Sequence, residues 1–233
     1  MLRKGKRLSP GFGAGTGRQA GLRPPPGRNF RPGAAAFVAA LPALLLAHGA
    51  ALAGDPFQHV GQLTTQPIGH YEYCRHHRQD CSIQSWSSKP VKLTRERWQQ
   101  MLSANIASNQ AMEPRSDQEI YGIEEYWHLP DQTTFYGDCE DYVLMKRKTL
   151  MDQGWPASAL LATVVLQPNG EGHAVLTVRT DKGDFVLDNL ADEVRRWDKT
   201  GYKFLKRVAA RHSGRWEDIL DSRSIVASIQ RSE

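Results

Sequence analysis

The sequence predicts an α+β fold with N-terminal helices packed on an antiparallel sheet. Two observations carry this. Between residues 94 and 154, apolar side chains recur at steps of three and four; from residue 160 onward, short β-branched runs alternate with turn residues. Helices first and hairpin-linked strands afterwards is the α+β order.

Residues 1–53 form a leader by composition. They hold eight Lys and Arg and no acid, and they end in AAAFVAALPALLLAHGAALA, an apolar run closing on small residues. A basic region, an apolar region and Ala51-Leu52-Ala53 match a secretory signal with cleavage before Gly54. An anchoring membrane helix fits the same run, although no stop-transfer charge follows Ala53. Removal of the leader changes the electrostatics. The whole chain carries 30 Lys plus Arg against 25 Asp plus Glu, a net charge of +5, whereas residues 54–233 keep 30 − 8 = 22 against 25, or −3. The pI of 9.2 therefore belongs mostly to the leader, and no nucleic-acid partner is expected. The Gly-rich GFGAGTG at 11–17 follows no strand and lacks a Lys-Ser/Thr ending, so it is not a phosphate loop.

Residues 54–90 read as a loop-rich arm, and residues 91–233 as the main domain. The arm holds Cys74 and Cys81 in YCRHHRQDCS. In an exported chain this spacing favours a disulfide; free thiols, or a metal involving His76 and His77, are the alternatives. Thr94 is a plausible N-cap for a helix whose apolar face is Trp98, Met101, Leu102 and Ile106, ending before Pro114. A second helical piece is expected through SDQEIYGIEEYW, stopped by Pro130. After YGDCEDY, a third helix carries Val143, Leu144, Leu150 and Met151 and stops at Gly154 and Pro156. Asp138 occupies its N-cap position, so Cys139 opens the helix. LLATVVLQ, HAVLTV, FVLDN and YKFLKRVA are then four strands, the first three joined by turns at PNGEG and TDKGD.

Cys139 is the thiol left over, and a helix start favours its thiolate form. Thiol catalysis also needs a base and a group that orients the base. His173 opens the HAVLTV strand after Gly172, whose missing side chain leaves room for the imidazole. Asp188 is an acid inside the apolar run FVLDN, a setting that demands a partner. A two-residue turn at Lys182 and Gly183 puts both on one face but too far apart, so contact requires a different turn, a bulge or twist. Each residue also has a structural explanation: a small buried thiol, a hydrogen-bonded histidine, a turn-capping acid. Their order, cysteine on a helix and then histidine and aspartate on successive strands, is more informative than any one of them.

GDCEDY before a helix, then GEGHAVLTV, then FVLDN, resembles the bacterial transglutaminase-like cysteine proteinases, which include the LapG-type periplasmic proteases. EEYWHLP upstream and Arg196-Trp197 and Tyr202 downstream extend the resemblance over roughly residues 90 to 220. It implies a papain-like, transglutaminase-type core. Cys139 would be the nucleophile, His173 the general base and then acid, and Asp188 the residue that holds the imidazole. The oxyanion would be met by the Cys139 N–H and a donor from the Trp127 region. LapG-type members are calcium-dependent and cut large cell-surface adhesins under control of an inner-membrane receptor that senses cyclic-di-GMP. Carried over by motif position, the calcium ligands would be Asp138, Glu140 and Asp141; their carboxylates otherwise read as capping, solvated and dipole-complementing groups. A transglutaminase or amidase using the same three residues, and a binding domain without turnover, are the rival functions.

Overall fold

The computed structural model describes Gly27, residues 54–131 and residues 135–221. The expected leader lies outside these residues. Among the described residues, no helix is long and apolar enough to cross a membrane.

In chain order the elements are β1 (Val60–Thr64), α1 (Ile68–His76), α2 (Arg78–Cys81), α3 (Arg95–Ala111), β2 (Glu113–Pro114), α4 (Asp117–Tyr121), β3 (Tyr136–Gly137) and α5 (Cys139–Asp152). Six strands follow: β4 (Leu160–Leu166), β5 (Gly172–Thr180), β6 (Gly183–Asp188), β7 (Ala191–Arg196), β8 (Lys203–Ala209) and β9 (His212–Ile219). Seven strands form one sheet in the order β1-β9-β8-β4-β5-β6-β7, and every pairing in it is antiparallel. The α+β expectation therefore holds, with α3 and α5 packed together and against this sheet.

The arm departs from expectation. Residues 54–90 supply an edge strand and two helices: Val60 pairs with Ile219 and Thr64 with Trp216, so the segment belongs to the main sheet. A Cys74–Cys81 disulfide joins α1 to the end of α2, which consumes both thiols and leaves neither for a metal.

Thr94 caps α3 as the sequence indicates, its Oγ1 accepting from the Arg97 N–H at 3.2 Å. The buried stripe overlaps the apolar one in part, with Trp98 and Leu102 half-buried against the core. Met101, Ala104, Asn105 and Ser108 face inward, while Ile106 is exposed. α4 is shorter than expected: it ends at Gly122, whose φ of 72° turns the chain left-handed eight residues before Pro130. α5 starts at Cys139 and ends before Gly154 as predicted, but the Asp138 side chain makes no capping hydrogen bond.

One apolar cluster lies between helices and sheet, with Met101, Val143, Leu150, Leu176, Val178 and Leu187 at its centre. Val165, Val175, Val186, Trp197, Phe204 and Ile219 form a second. Alternation along β5 feeds both, which is why that run reads as continuously apolar.

Candidate active site

The β5–β6 hairpin decides whether the predicted histidine and aspartate meet. Thr180 pairs with Gly183 and Leu176 with Leu187, so the two turn residues are Asp181 and Lys182, one step earlier than a turn at Lys182 and Gly183. Continued outward, this register sets Asp188 two residues from the position opposite His173, a diagonal pair on one face. The gap closes with no bulge between these two strands: His173 Nε2 lies 2.9 Å from Asp188 Oδ1, and both side chains are buried. Gly183 is required for a separate reason. With φ at 123°, a Cβ there would also come within 2.8 Å of the Pro56 carbonyl.

Asp188 is held from every side. The Tyr202 hydroxyl donates to Oδ2 at 2.6 Å and the Leu190 N–H to Oδ1 at 3.0 Å. Its own N–H donates to Asn105 Oδ1, and its carbonyl accepts from Asn109 Nδ2, both at 3.0 Å. Burial by itself raises a carboxyl pKa, but the hydrogen bonds from His173, Tyr202 and Leu190 outweigh it and hold Asp188 below the usual carboxylate range. Asn105 and Asn109, one turn apart on α3, also bond to residues 191 and 192. They explain why the inward stripe of α3 is polar there, and the sequence reading missed them because polar residues on a helix usually face water.

Across the cleft, Cys139 Sγ accepts from the Ala174 N–H at 3.4 Å, directly beside His173. It also lies 3.2 Å from Glu140 Oε2. Burial, then the neighbouring Glu140 carboxyl, pushes the thiol pKa well up. Glu140 is itself pushed up to about 10, by burial and by its hydrogen bond to Asp138. Cys139 and His173 line a single cavity of about 340 Å³, together with Pro67, Trp127, Val164 and Lys206. A Cβ on Gly172 would meet nothing within 4 Å, so that glycine does not relieve crowding around the imidazole. The Trp127 indole N–H is directed at Glu125 Oε2, 3.3 Å away.

The acids around the helix start divide into two overlapping groups. Glu140 sits with Cys139 and Asp138. Asp138 and Asp141 also join Asp117, a residue the sequence reading did not single out, with oxygens all within 4.8 Å of one another. Asp117 and Asp141 are fully buried, and among the described residues Asp117 Oδ1 and Asp138 Oδ1 have no hydrogen-bond partner. Burial and the charges of Asp138 and Asp141 raise the Asp117 pKa to about 7. Asp141 is braced by the His128 N–H at 2.8 Å and the His128 ring at 3.2 Å. Gly137 allows this packing, because a Cβ would fall 2.5 Å from Asp141 Oδ2. Orphaned, buried carboxylate oxygens of this kind fit a hard divalent cation, whose charge and demand for oxygen ligands they match.

A thiol on a helix start, facing a histidine–aspartate pair on an antiparallel sheet, places the protein in the transglutaminase-like class of thiol enzymes. The match is specific at the family level: the model of the bacterial transglutaminase-like cysteine proteinases covers residues 60–224, and the chain belongs to that family of cysteine peptidases. Protein is therefore its class of substrate. Solved structures of LapG from Legionella pneumophila are similar at 26% identity and a TM-score of 0.45, over 58% of this chain and 78% of LapG. The calcium-bound LapG structure gives 24%, 0.45, 58% and 80%, and the EGTA-treated one 26%, 0.45, 58% and 79%, in the same order. No curated protein sequence matches the chain.

Proposed function

We propose that the protein is an exported, periplasmic cysteine endopeptidase that cleaves a large cell-surface adhesin through a thioester intermediate. The observation that carries the catalytic assignment is the 2.9 Å contact of His173 with Asp188 on the wall of the cavity that also holds Cys139. Because Asp188 takes the Nε2 side of the imidazole, Nδ1 is the nitrogen left to serve the thiol. His173 removes the Cys139 proton as sulfur attacks the scissile carbonyl, then gives that proton to the departing amine. Water, activated by the same imidazole, hydrolyses the thioester and restores the thiol. The backbone N–H of Cys139, at the open end of α5, faces the developing oxyanion.

Calcium is the proposed cofactor, held by Asp117, Asp138 and Asp141 with Glu140 beside them. When bound it supplies positive charge next to the helix start, which offsets the acids that push the Cys139 pKa up. Export rests on the leader at 1–53, and control by an inner-membrane cyclic-di-GMP-sensing receptor on the family resemblance.

The test compares released and cell-surface proteins from cells expressing the wild type or Cys139→Ser. A fragment released only by the wild type identifies both reaction and substrate. Unchanged release with the variant refutes the assignment of Cys139, and amine incorporation without peptide cleavage would make the enzyme a transglutaminase instead.

A further inference from the structure

The far end of β5 carries a second feature, unrelated to the thiol. A cavity of about 360 Å³ is lined by Arg179, Arg207, Arg211, Arg215, Ser88 and Glu217, among others. Arg207 is neutralised within the fold: its guanidinium lies 3.0 Å from Glu217, 3.3 Å from Asp184 and 2.8 Å from Gln58 Oε1. The other three are not. Arg179 donates only to the carbonyls of Ser88 and Ser158, and Arg211 and Arg215 are exposed; among the described residues none of the three has a carboxylate within 4.0 Å. Residues 54–233 carry a net charge of −3, so this local excess of positive charge runs against the rest of the folded chain.

The cavity also carries exposed apolar side chains. Leu63 lines it and is 62% exposed. Trp86 is 97% exposed, and the chain on either side of it is pinned to the arginines. The Ser85 N–H donates to the Arg211 carbonyl at 3.0 Å, and the Ser88 carbonyl accepts from Arg179 at 2.9 Å. This places a wholly exposed indole near three guanidiniums that have no carboxylate partner among the described residues. Guanidinium forks match phosphate oxygens, and indole rings settle at the boundary between headgroups and acyl chains.

We propose that this face docks on the phosphate headgroups of an anionic membrane, with Arg179, Arg211 and Arg215 meeting phosphate and Trp86 and Leu63 entering the interface. Six residues of β5, roughly 20 Å of strand, separate Arg179 from His173. Docking therefore leaves the cleft free to take a protein chain.

The test uses residues 54–233, which contain every strand and helix described. Binding is measured by co-sedimentation with vesicles of phosphatidylcholine, with or without phosphatidylglycerol. The expected result is binding only where phosphatidylglycerol is present, weakened by salt, with a blue shift of tryptophan emission that Trp86→Ala abolishes. Arg211→Gln/Arg215→Gln should weaken binding roughly 25-fold, about fivefold per charge. Both variants should keep wild-type thermal unfolding and wild-type proteolysis in solution, since Trp86, Arg211 and Arg215 are exposed and outside the cleft. Equal binding to pure phosphatidylcholine, or binding that neither variant alters, would overturn the proposal. So would protection of the fold by inorganic phosphate without any vesicle binding, which would make this a site for free phosphate.

Discussion

Lys146 gives the sharpest test of the energetics behind the cleft. It lies on α5 two turns after Cys139, is 1% exposed, and has its Nζ 5.5 Å from the Tyr142 ring centroid. No carboxylate lies within ion-pairing distance among the described residues, and attraction from Asp188 and Asp192 offsets burial only in part. Its pKa accordingly falls from 10.5 to about 7. The folded chain therefore releases this proton before the unfolded chain does. Between about pH 7 and 10.5 the unfolded state holds more protons, so stability rises with pH across that window. Below it, keeping the ammonium buried costs up to about 5 kcal/mol, from 1.36 kcal/mol per pH unit of the gap. Lys146→Met fills nearly the same volume without the charge. Urea unfolding at pH 6 and at pH 10 should show the variant more stable by several kcal/mol at the lower pH, with the advantage nearly gone at the higher. Equal stability differences at the two pH values would refute the argument, because only a buried, titrating lysine ties the gain to that interval.

The remaining predictions concern the supports of the site. Asn105→Ala strips partners from the Asp188 N–H and two carbonyls; it should lower stability by about 2–4 kcal/mol and reduce kcat at least roughly tenfold while leaving KM unchanged. Asp117→Asn removes one of three crowded carboxylates, so thermal unfolding in EGTA should move up while the further rise caused by calcium shrinks; an undiminished rise on adding calcium would detach Asp117 from the cation site. Replacing Cys74 and Cys81 by Ala opens a short covalent loop and should reduce stability by about 2–3 kcal/mol, read from the urea midpoint.

Much of the site was legible because its signals are local. A lone thiol before a helix, a histidine opening a strand and an acid inside an apolar run each mark a position without reference to anything distant. Register was the harder quantity. Moving the hairpin turn by one residue, from Lys182-Gly183 to Asp181-Lys182, carries Asp188 from out of reach to hydrogen-bond distance of His173, and both turns suit the same TDKGD sequence. Asp117 was invisible because the fold brings it to Asp138 across 21 residues of chain. β1, β7 and β9 went unread for a common reason. VGQLT and ADEVRR are edge strands that leave most of their side chains in water, and HSGRWEDI interrupts its apolar positions with Gly214 and charged groups. Sequence patterns register burial, and strands held chiefly by backbone hydrogen bonds leave little of it.

The pairing of β1 with β9 has a consequence in time. The first strand of the folded unit hydrogen-bonds to the last, Val60 to Ile219, and Pro67, on the cleft wall, follows directly from β1. A chain still being synthesised has its thiol, imidazole and carboxylate long before it has residue 219. It lacks the partner that fixes the wall against which a substrate would rest. The β1–β9 pairing that carries this wall thus forms only once the chain extends through residue 219.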